Sequence, residues 1–409
     1  MSRIATLAAP IPDVAAPRSG GAQTRVAAAA VALLLGGAAW LAADYGLRHG
    51  ALLLIGAGCG LVLYHAAFGF TAAFRALVTV GDGRGIRAQM LMLALATLLF
   101  APVLASGEVF GREVAAALAP AGLSVLIGAF VFAIGMQVAG GCGSGTLFHL
   151  GSGVTSMVVV LLAFVTGSVI ATFHMPFWSA LPTLGEVSLG ESLGWPVAVA
   201  VQLAAFTAIA AFTRVLERRR GGPLPRPNVG ALGWSRLVRG PWPLLAGAVL
   251  LALLNLATLL AAGHPWTITW AFALWGGKAL QATGYDLAAV PFWQGEFQQS
   301  ALAAPILSDT TSVLDLGLVL GALLAAGLAG RFAPRRLRAR RIVAALLGGL
   351  LLGYGARIAF GCNIGAYVGG IASTSLHGWL WGVAALLGTP VGLRLGALLD
   401  PHREASRIP

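Results

Sequence analysis

Residues 134–145 read IGMQVAGGCGSG, and residues 354–365 read YGARIAFGCNIG. Superposed at an offset of 220 without a gap, they agree at Gly135/Gly355, Ala139/Ala359, Gly141/Gly361, Cys142/Cys362 and Gly145/Gly365. Reading backwards adds Leu126/Leu346 and Gly128/Gly348, so an apolar helix leads into a Gly-Cys loop both times. This repeat holds two of the three cysteines in the chain.

The setting is apolar. Of 409 residues 58% are hydrophobic and 10% charged, with a mean hydropathy of +0.86, where a soluble domain carries about 25% charged residues. The expectation is an all-α integral membrane protein. The 56 glycines and 20 prolines suit helices packed in lipid, where small residues allow close approach. The net charge of +12 sits in loops, as the positive-inside rule requires, and gives no reason to expect nucleic acid. Three cysteines without a CxxC pair or a His-rich cluster predict free thiols, with no metal and no cofactor.

Apolar stretches of spanning length, about 20 residues, fall near 27–46, 50–70, 88–106, 121–139, 154–173, 195–215, 242–262, 266–284, 311–330, 342–359 and 378–397. Basic loops at the N-terminal tail, 75–87, 214–239 and 331–341 should share the cytoplasmic side. They do so only if one stretch between 242 and 330 fails to cross. Gly276, Gly277, Lys278, Pro291 and Glu296 interrupt 266–298, and broken backbone at membrane depth is tolerated only against protein or a cavity. Ten crossings with both termini inside follow. The helices before Cys142 and Cys362 then run in opposite directions, which predicts two inverted repeats with re-entrant loops and an hourglass-like outline.

The expected division is a disordered cytoplasmic tail over 1–25 and an additional helix over 26–47. A first half over 48–215 carries its loop at 140–145, and a basic linker follows over 216–241. The second half, 242–398, has its loop at 360–365, before a cytoplasmic tail over 399–409.

Glycines around each cysteine (Gly141, Gly143, Gly145; Gly361, Gly365) allow a sharp turn and let backbone amides approach a ligand. If the short segments after the loops, 146–152 and 366–373, are half-helices, their N-termini favour an anion. Ser144 and Asn363 add polar groups next to the sulfurs. Arg357 lies before Cys362, and Gln137 holds the matching place before Cys142; charge at membrane depth is costly and seldom incidental. Lys278, Cys59, His149 and His377 are further candidates, each with a plain packing or pairing role as the alternative. Asp309, Thr310, Thr311 and Asp315 read as a helix cap. Trp266, Trp270, Trp275, Trp379 and Trp381 fit an interfacial belt.

Three stretches, AGGCGSGTLFHLGSG (139–153), GYGARIAFGCNIGAYVGGIASTSLHGWLWG (353–382) and FTAAFRALVTVGDGRGIRAQ (70–89), together resemble the YeeE/YedE sulfur-transport family from about residue 50 to 398. The resemblance implies a bacterial inner-membrane permease for thiosulfate or a related sulfur or selenium species, with Cys142 and Cys362 handing the anion across a narrow centre. One position departs from it: family members commonly carry a cysteine between two phenylalanines before the first cytoplasmic loop, and here Phe68-Gly69-Phe70 stands in that place.

Two other functional classes fit the same residues. In a membrane sulfurtransferase or thiol redox protein a cysteine would become a persulfide or the pair a disulfide. In a docking subunit the basic loops would receive a soluble sulfur carrier. No nucleotide-binding loop supports an ATP-driven pump.

Overall fold

A computed structural model describes residues 22–222, 233–334, 337 and 339–399. The tails over 1–21 and from 400, and Arg226, Arg335, Arg336 and Arg338 of the basic loops, lie outside the described residues. Helices run in the order α1 (Thr24–Tyr45), α2 (Leu47–His65), α3 (Phe70–Val80), α4 (Arg84–Ser106), α5 (Leu123–Ala139), α6 (Gly143–Gly151), α7 (Ser156–Ser179), α8 (Leu189–Leu193) and α9 (Trp195–Arg219). They continue with α10 (Trp234–Arg239), α11 (Leu244–Ala262), α12 (Thr269–Ala282), α13 (Glu296–Ala303), α14 (Thr310–Leu328) and α15 (Ala339–Ile358). A π-helix (Asn363–Gly369) leads directly into α16 (Gly370–Ala372), and α17 (Leu376–Leu399) closes the fold. Two small antiparallel ribbons, β1 (Glu108–Val109) with β2 (Arg112–Glu113) and β3 (Pro120–Gly122) with β4 (Thr183–Glu186), tie loops together.

Among the described residues, ten helical segments are long and apolar enough to cross a membrane. The chain is an all-α multi-pass membrane protein. The stretch 266–284 is not one of the ten: α12 has 14 residues, about 21 Å at 1.5 Å per residue, against a hydrocarbon core of about 30 Å. The spanning helices need no amphipathic stripe, since lipid and protein are both apolar and each helix satisfies its own backbone.

One face of the bundle gathers the arginines. There Asp82 pairs with Arg84 at 2.7 Å, Arg87 with Glu217 at the end of α9 at 2.9 Å, and Arg341 bonds Ser156 at the start of α7 at 3.3 Å. At the opposite face Arg48, opening α2, donates to the Ala261 and Ala262 carbonyls that end α11, each at 2.5 Å.

Glycine sets how closely the helices meet. A Cβ on Gly56 or Gly60 of α2 would stand 2.2 or 2.0 Å from the Leu314 or Leu318 carbonyl of α14. A Cβ on Gly317 or Gly321 of α14 would strike the Leu53 or Ala57 carbonyl at 2.2 or 1.9 Å. Two small-xxx-small faces are pressed together, a geometry lipid-embedded helices use to gain van der Waals contact. The same device joins α5 to α15. Gly128 meets Ala359 and Gly348 meets Ala139; Gly135 meets Leu352 and Gly355 meets Phe132. Residue numbers rise on one helix as they fall on the other, so α5 and α15 are antiparallel. Each contact also maps onto its companion when 220 is added to one partner and subtracted from the other. The Ser124 hydroxyl of α5 closes the seam on the Ile358 carbonyl at 2.6 Å.

Several sequence expectations are corrected here. Trp266 and Trp381 are buried (2% and 0% exposed) and so do not belong to an interfacial belt. Asp309 does cap α14, accepting from the Ser312 amide at 2.8 Å. Asp315 does not: it lies inside the helix, fully buried, and neither carboxylate oxygen has a hydrogen-bond partner. Arg75 belongs not to a solvated loop but to α3, where it reaches Gln137.

Candidate functional site

Each repeated loop follows a helix that ends against the other. Gly140 ends α5 in the left-handed conformation (φ 87°), its amide bonded to the Met136 carbonyl at 3.0 Å; only glycine takes this conformation without cost. The chain then turns back, and Cys142 becomes the N-cap of α6 with its sulfur accepting from the Gly145 amide at 3.4 Å. Cys362 likewise caps the π-helix and accepts from the Ile364 amide at 3.4 Å. Cysteine thus occupies a position that usually goes to serine, threonine, aspartate or asparagine. The Ser144 hydroxyl lies 3.4 Å from the Cys142 sulfur.

The two loops meet. A Cβ on Gly143 would lie 3.2 Å from the Cys362 sulfur and 3.6 Å from Ile268 at the start of α12. A Cβ on Gly365 would lie 2.9 Å from the Thr267 hydroxyl. Cys142 and Cys362 are 2% and 0% exposed and lie within electrostatic reach of each other. All three cysteines are free thiols.

Two more short helices begin at this point. The Thr71 carbonyl in the first turn of α3 accepts from the Gln137 amide at 3.2 Å, and the Thr269 carbonyl in the first turn of α12 accepts from Arg357 at 3.0 Å. Gln137 and Arg357 are the 220-offset pair, so matching side chains hold the starts of matching short helices. The Thr71 hydroxyl lies close to Cys142. Four helix starts, those of α3, α6, α12 and the π-helix, therefore gather around two sulfurs, and each offers unused amides and the positive end of its dipole. The π-helical turn after Cys362, in which the Tyr367 amide returns to the Cys362 carbonyl at 3.3 Å, is a geometry found mainly at functional sites.

Aromatic rings support the second loop. The Trp381 indole donates to the Gly361 carbonyl at 3.1 Å and stacks on Tyr367 (centroids 5.9 Å apart), which receives the edges of Phe70 and Phe74. Asn363, next to Cys362, is fully buried, and neither end of its amide has a partner. Arg357 Nε is also unpartnered, with its guanidinium 5.3 Å above the Phe292 ring. Buried polar groups are nearly always satisfied, so the Asn363 amide beside Cys362 and the Arg357 Nε one layer out are exceptions to that rule.

The structure thus brings together Cys142, Cys362, Gly141, Gly143, Ser144, Gly145, Gly361, Asn363 and Gly365, with Gln137 and Arg357 one layer out. Gln137 accepts two bonds from Arg75, at 3.2 and 3.1 Å. Sequence reading missed Arg75, because a run with Arg84 and Arg87 looks like a basic loop; the signal available was its place on α3, opposite Gln137. Other candidates lie elsewhere. Lys278 donates to the Leu302 and Ala304 carbonyls at 2.6 Å each and fastens the α13 segment. Cys59 sits between Gly58, which faces α11, and Gly60, which faces α14. His377 bonds Ser375 at 2.7 Å beyond α16, and His149 lies against Phe148 within α6, the rings tilted by 37°.

The fold and the loops define a multi-pass helical membrane protein in which two cysteine-capped helices meet beside buried polar groups that lack a hydrogen-bond partner. Comparison with known proteins narrows that class. The chain belongs to the sulphur transport family, whose description matches residues 65–391. It is similar to the thiosulfate transporter TsuA of Spirochaeta thermophila, 28% identical over 82% of this chain and 95% of the relative. The thiosulfate transporter TsuA of Escherichia coli K12 is 26% identical over 86% and 96%. The probable transporter YedE of Escherichia coli K12 is 36% identical over 137 residues, so that this chain spans about a third of that relative's length, 33%.

Proposed function

We propose that the protein is a transporter, not an enzyme, that moves a small reduced-sulfur anion, best matched by thiosulfate, through the meeting point of the Cys142 and Cys362 loops. The observation that carries this reading is the convergence of two sulfur-capped helix N-termini on the unpartnered amide of Asn363. Helix N-termini bind oxyanions, and the two thiols suit the sulfane end of the same anion. In this reading the amides of Gly143, Ser144, Asn363 and Gly365 receive the oxyanion end, with Gly141 and Gly361 making the turns and the Gly145 amide holding the Cys142 sulfur in place. Arg357 attracts the anion from one side, and Arg75, through Gln137, from the other. Full-length similarity to two thiosulfate transporters supports the substrate class.

The rest of the reading follows from this centre. The halves 48–215 and 242–398 form inverted repeats, supported by the antiparallel α5–α15 seam and its 220-residue exchange of contacts, and the short helices are re-entrant. The arginine-rich face is cytoplasmic by the positive-inside rule, which puts both termini there and the protein in a bacterial inner membrane. That basic face is also where a soluble sulfur carrier would dock.

The test is uptake of radiolabelled thiosulfate into proteoliposomes. Wild-type protein should give saturable uptake, and Cys142→Ser and Cys362→Ser should each lower it at least tenfold. Serine keeps the cap and removes the sulfur. Unchanged uptake in both variants would remove the sulfurs from the mechanism, and no uptake by the wild type would remove thiosulfate.

A further inference from the structure

The site described above accounts for the sulfurs, the loop amides and Arg357. It leaves Asp315 without a role. This carboxyl group is 0% exposed, and both oxygens lack a hydrogen-bond partner. It is neither a cap nor half of either ion pair found among the described residues. Position 315 shares a face of α14 with Val319 and Ala322, at i+4 and i+7, and those two residues are what a Cβ on Gly151 of α6 would meet, at 2.2 and 3.0 Å. Asp315 therefore faces α6, nearer the Cys142 end than Val319 does, and it lies within electrostatic reach of Cys362.

Among the described residues no cation pairs with it, and the titratable groups on the elements packed around α14 are engaged or remote. On α1, Arg25 lies near the level at which Ala27 meets Gly327, twelve residues beyond Asp315, while Asp44 and Tyr45 end the helix with Tyr45 against His49. Tyr64 and His65 end α2, with His65 against Trp242. On α2, Arg48 holds the α11 carbonyls, His49 lies 3.1 Å from the Ser308 carbonyl, and Cys59 sits a turn beyond the level at which Gly56 meets Leu314. On α12, Lys278 is held by two carbonyls. On α6, His149 lies against Phe148 near the far end of the helix, and Cys142 is the cap. Asp309, six residues before, adds a negative charge, not a positive one. Arg236 of α10 is bonded to the Pro241 carbonyl at 2.7 Å, on the arginine-rich side.

An ionised carboxylate in such a place is an uncompensated charge in a low-dielectric interior, which proteins avoid by pairing or by protonation. With no pair among the described residues, a proton is the available counter-charge. An anion arriving at the neighbouring cysteine loops changes the local potential, and with it the occupancy of that proton. We propose that Asp315 is a proton-binding site that loads and unloads as the anion passes the two cysteine loops, so that the anion crosses together with a proton. The inference rests on the transport reading above. The chemistry is a proton gained and lost by one carboxyl oxygen, with the pH difference across the membrane as its source. The benefit is electrical: a divalent anion moves uphill into a compartment of negative potential, and each accompanying proton removes one charge from the load.

The experiment uses full-length protein in proteoliposomes with two readouts. Counterflow exchange of labelled thiosulfate at equal pH measures passage alone, and accumulation under a pH step, acid on the side of entry, measures coupling. Wild-type protein should accumulate thiosulfate about tenfold further per pH unit for one proton per anion, and pyranine in the lumen should report acidification that begins with thiosulfate addition. Asp315→Asn should retain exchange, lose the response to the pH step and give no pyranine signal. Asp315→Glu should restore both. A wild type that exchanges thiosulfate with no pH response and no pyranine signal overturns the proposal while leaving transport intact. An Asp315→Asn variant that responds like the wild type overturns it as well. Absence of exchange in the wild type is the failure of the transport reading itself. Should Asp315→Asn fail to fold, the wild-type pyranine signal alone decides between coupled and uncoupled passage.

Discussion

At the scale of single residues, the cysteines do two jobs that substitution can separate. As N-caps they satisfy an amide of the following turn; as sulfurs they are polarisable groups at a gathering of positive helix ends. Alanine removes both, and loss of a cap costs about 0.5–2 kcal/mol. Serine removes only the sulfur. Cys142→Ser should therefore melt within a few degrees of the wild type, and Cys142→Ala clearly lower, by scanning fluorimetry in detergent. Gly69 gives a complementary case. It is the N-cap of α3, with φ −109° and ψ 119°, open to any residue, and a Cβ there would have no neighbour nearer than 3.6 Å. Gly69→Cys should change stability by no more than about 0.5 kcal/mol, and would place a third sulfur at a third convergent helix start. Gly143→Ala is different: its Cβ falls 3.2 Å from the Cys362 sulfur, so uptake should drop while yield and melting temperature stay near those of the wild type.

At the scale of elements, much was legible. Ten segments of spanning length, with 266–284 not among them, followed from hydropathy along the chain, because length and composition decide both. The two loops followed from the repeat. What could not be read were partners that only packing assigns. Asp315 comes a few residues after a capping aspartate and looks like part of the same cap; only the tight seating of α14 on α2 shows that it is sealed inside. Trp381 has the composition of a belt residue but props the Gly361 carbonyl. Arg75 was hidden beside Arg84 and Arg87, which pair with Asp82 and Glu217 on the arginine-rich face, whereas Arg75 turns to Gln137. The element-scale prediction concerns the helix seams. Gly321→Val and Gly353→Val put side chains where a Cβ already lies 1.9 Å from the Ala57 carbonyl or 2.0 Å from the Phe164 carbonyl. Overpacking of this kind costs about 1–3 kcal/mol, and both variants should melt well below the wild type. Gly353→Val should in addition reduce uptake, since α15 carries the Cys362 loop.

At the scale of the whole molecule, the arginine-rich face is organised by two ion pairs, not only by net charge. Asp82, just before α4, is 2% exposed. Burial works against its charge, but the hydrogen bonds and charge of Arg84, with Arg87 beyond, outweigh it and hold the carboxyl below its ordinary range. A depressed carboxyl stabilises the fold above its unfolded-state range and loses that contribution as pH falls through its native one. Asp82→Asn should therefore cost about 1–3 kcal/mol near neutral pH, the worth of a hydrogen bond to a charged group. The gap to the wild type should narrow below about pH 4, as read by melting temperature across a pH series.

The glycine seam between α5 and α15 also sets a timetable. Gly128 and Gly135 find their partners only when Ala359 and Leu352 have been made, more than two hundred residues later. At about 5–20 residues per second that is a wait of roughly ten to forty seconds. Throughout it the first half has its cysteine loop without the Cys362 loop that meets it in the finished fold. The exposed glycines are an open seat that another half-made copy could also take, so the rate of synthesis, as much as the final packing, governs how much correctly paired protein a cell obtains.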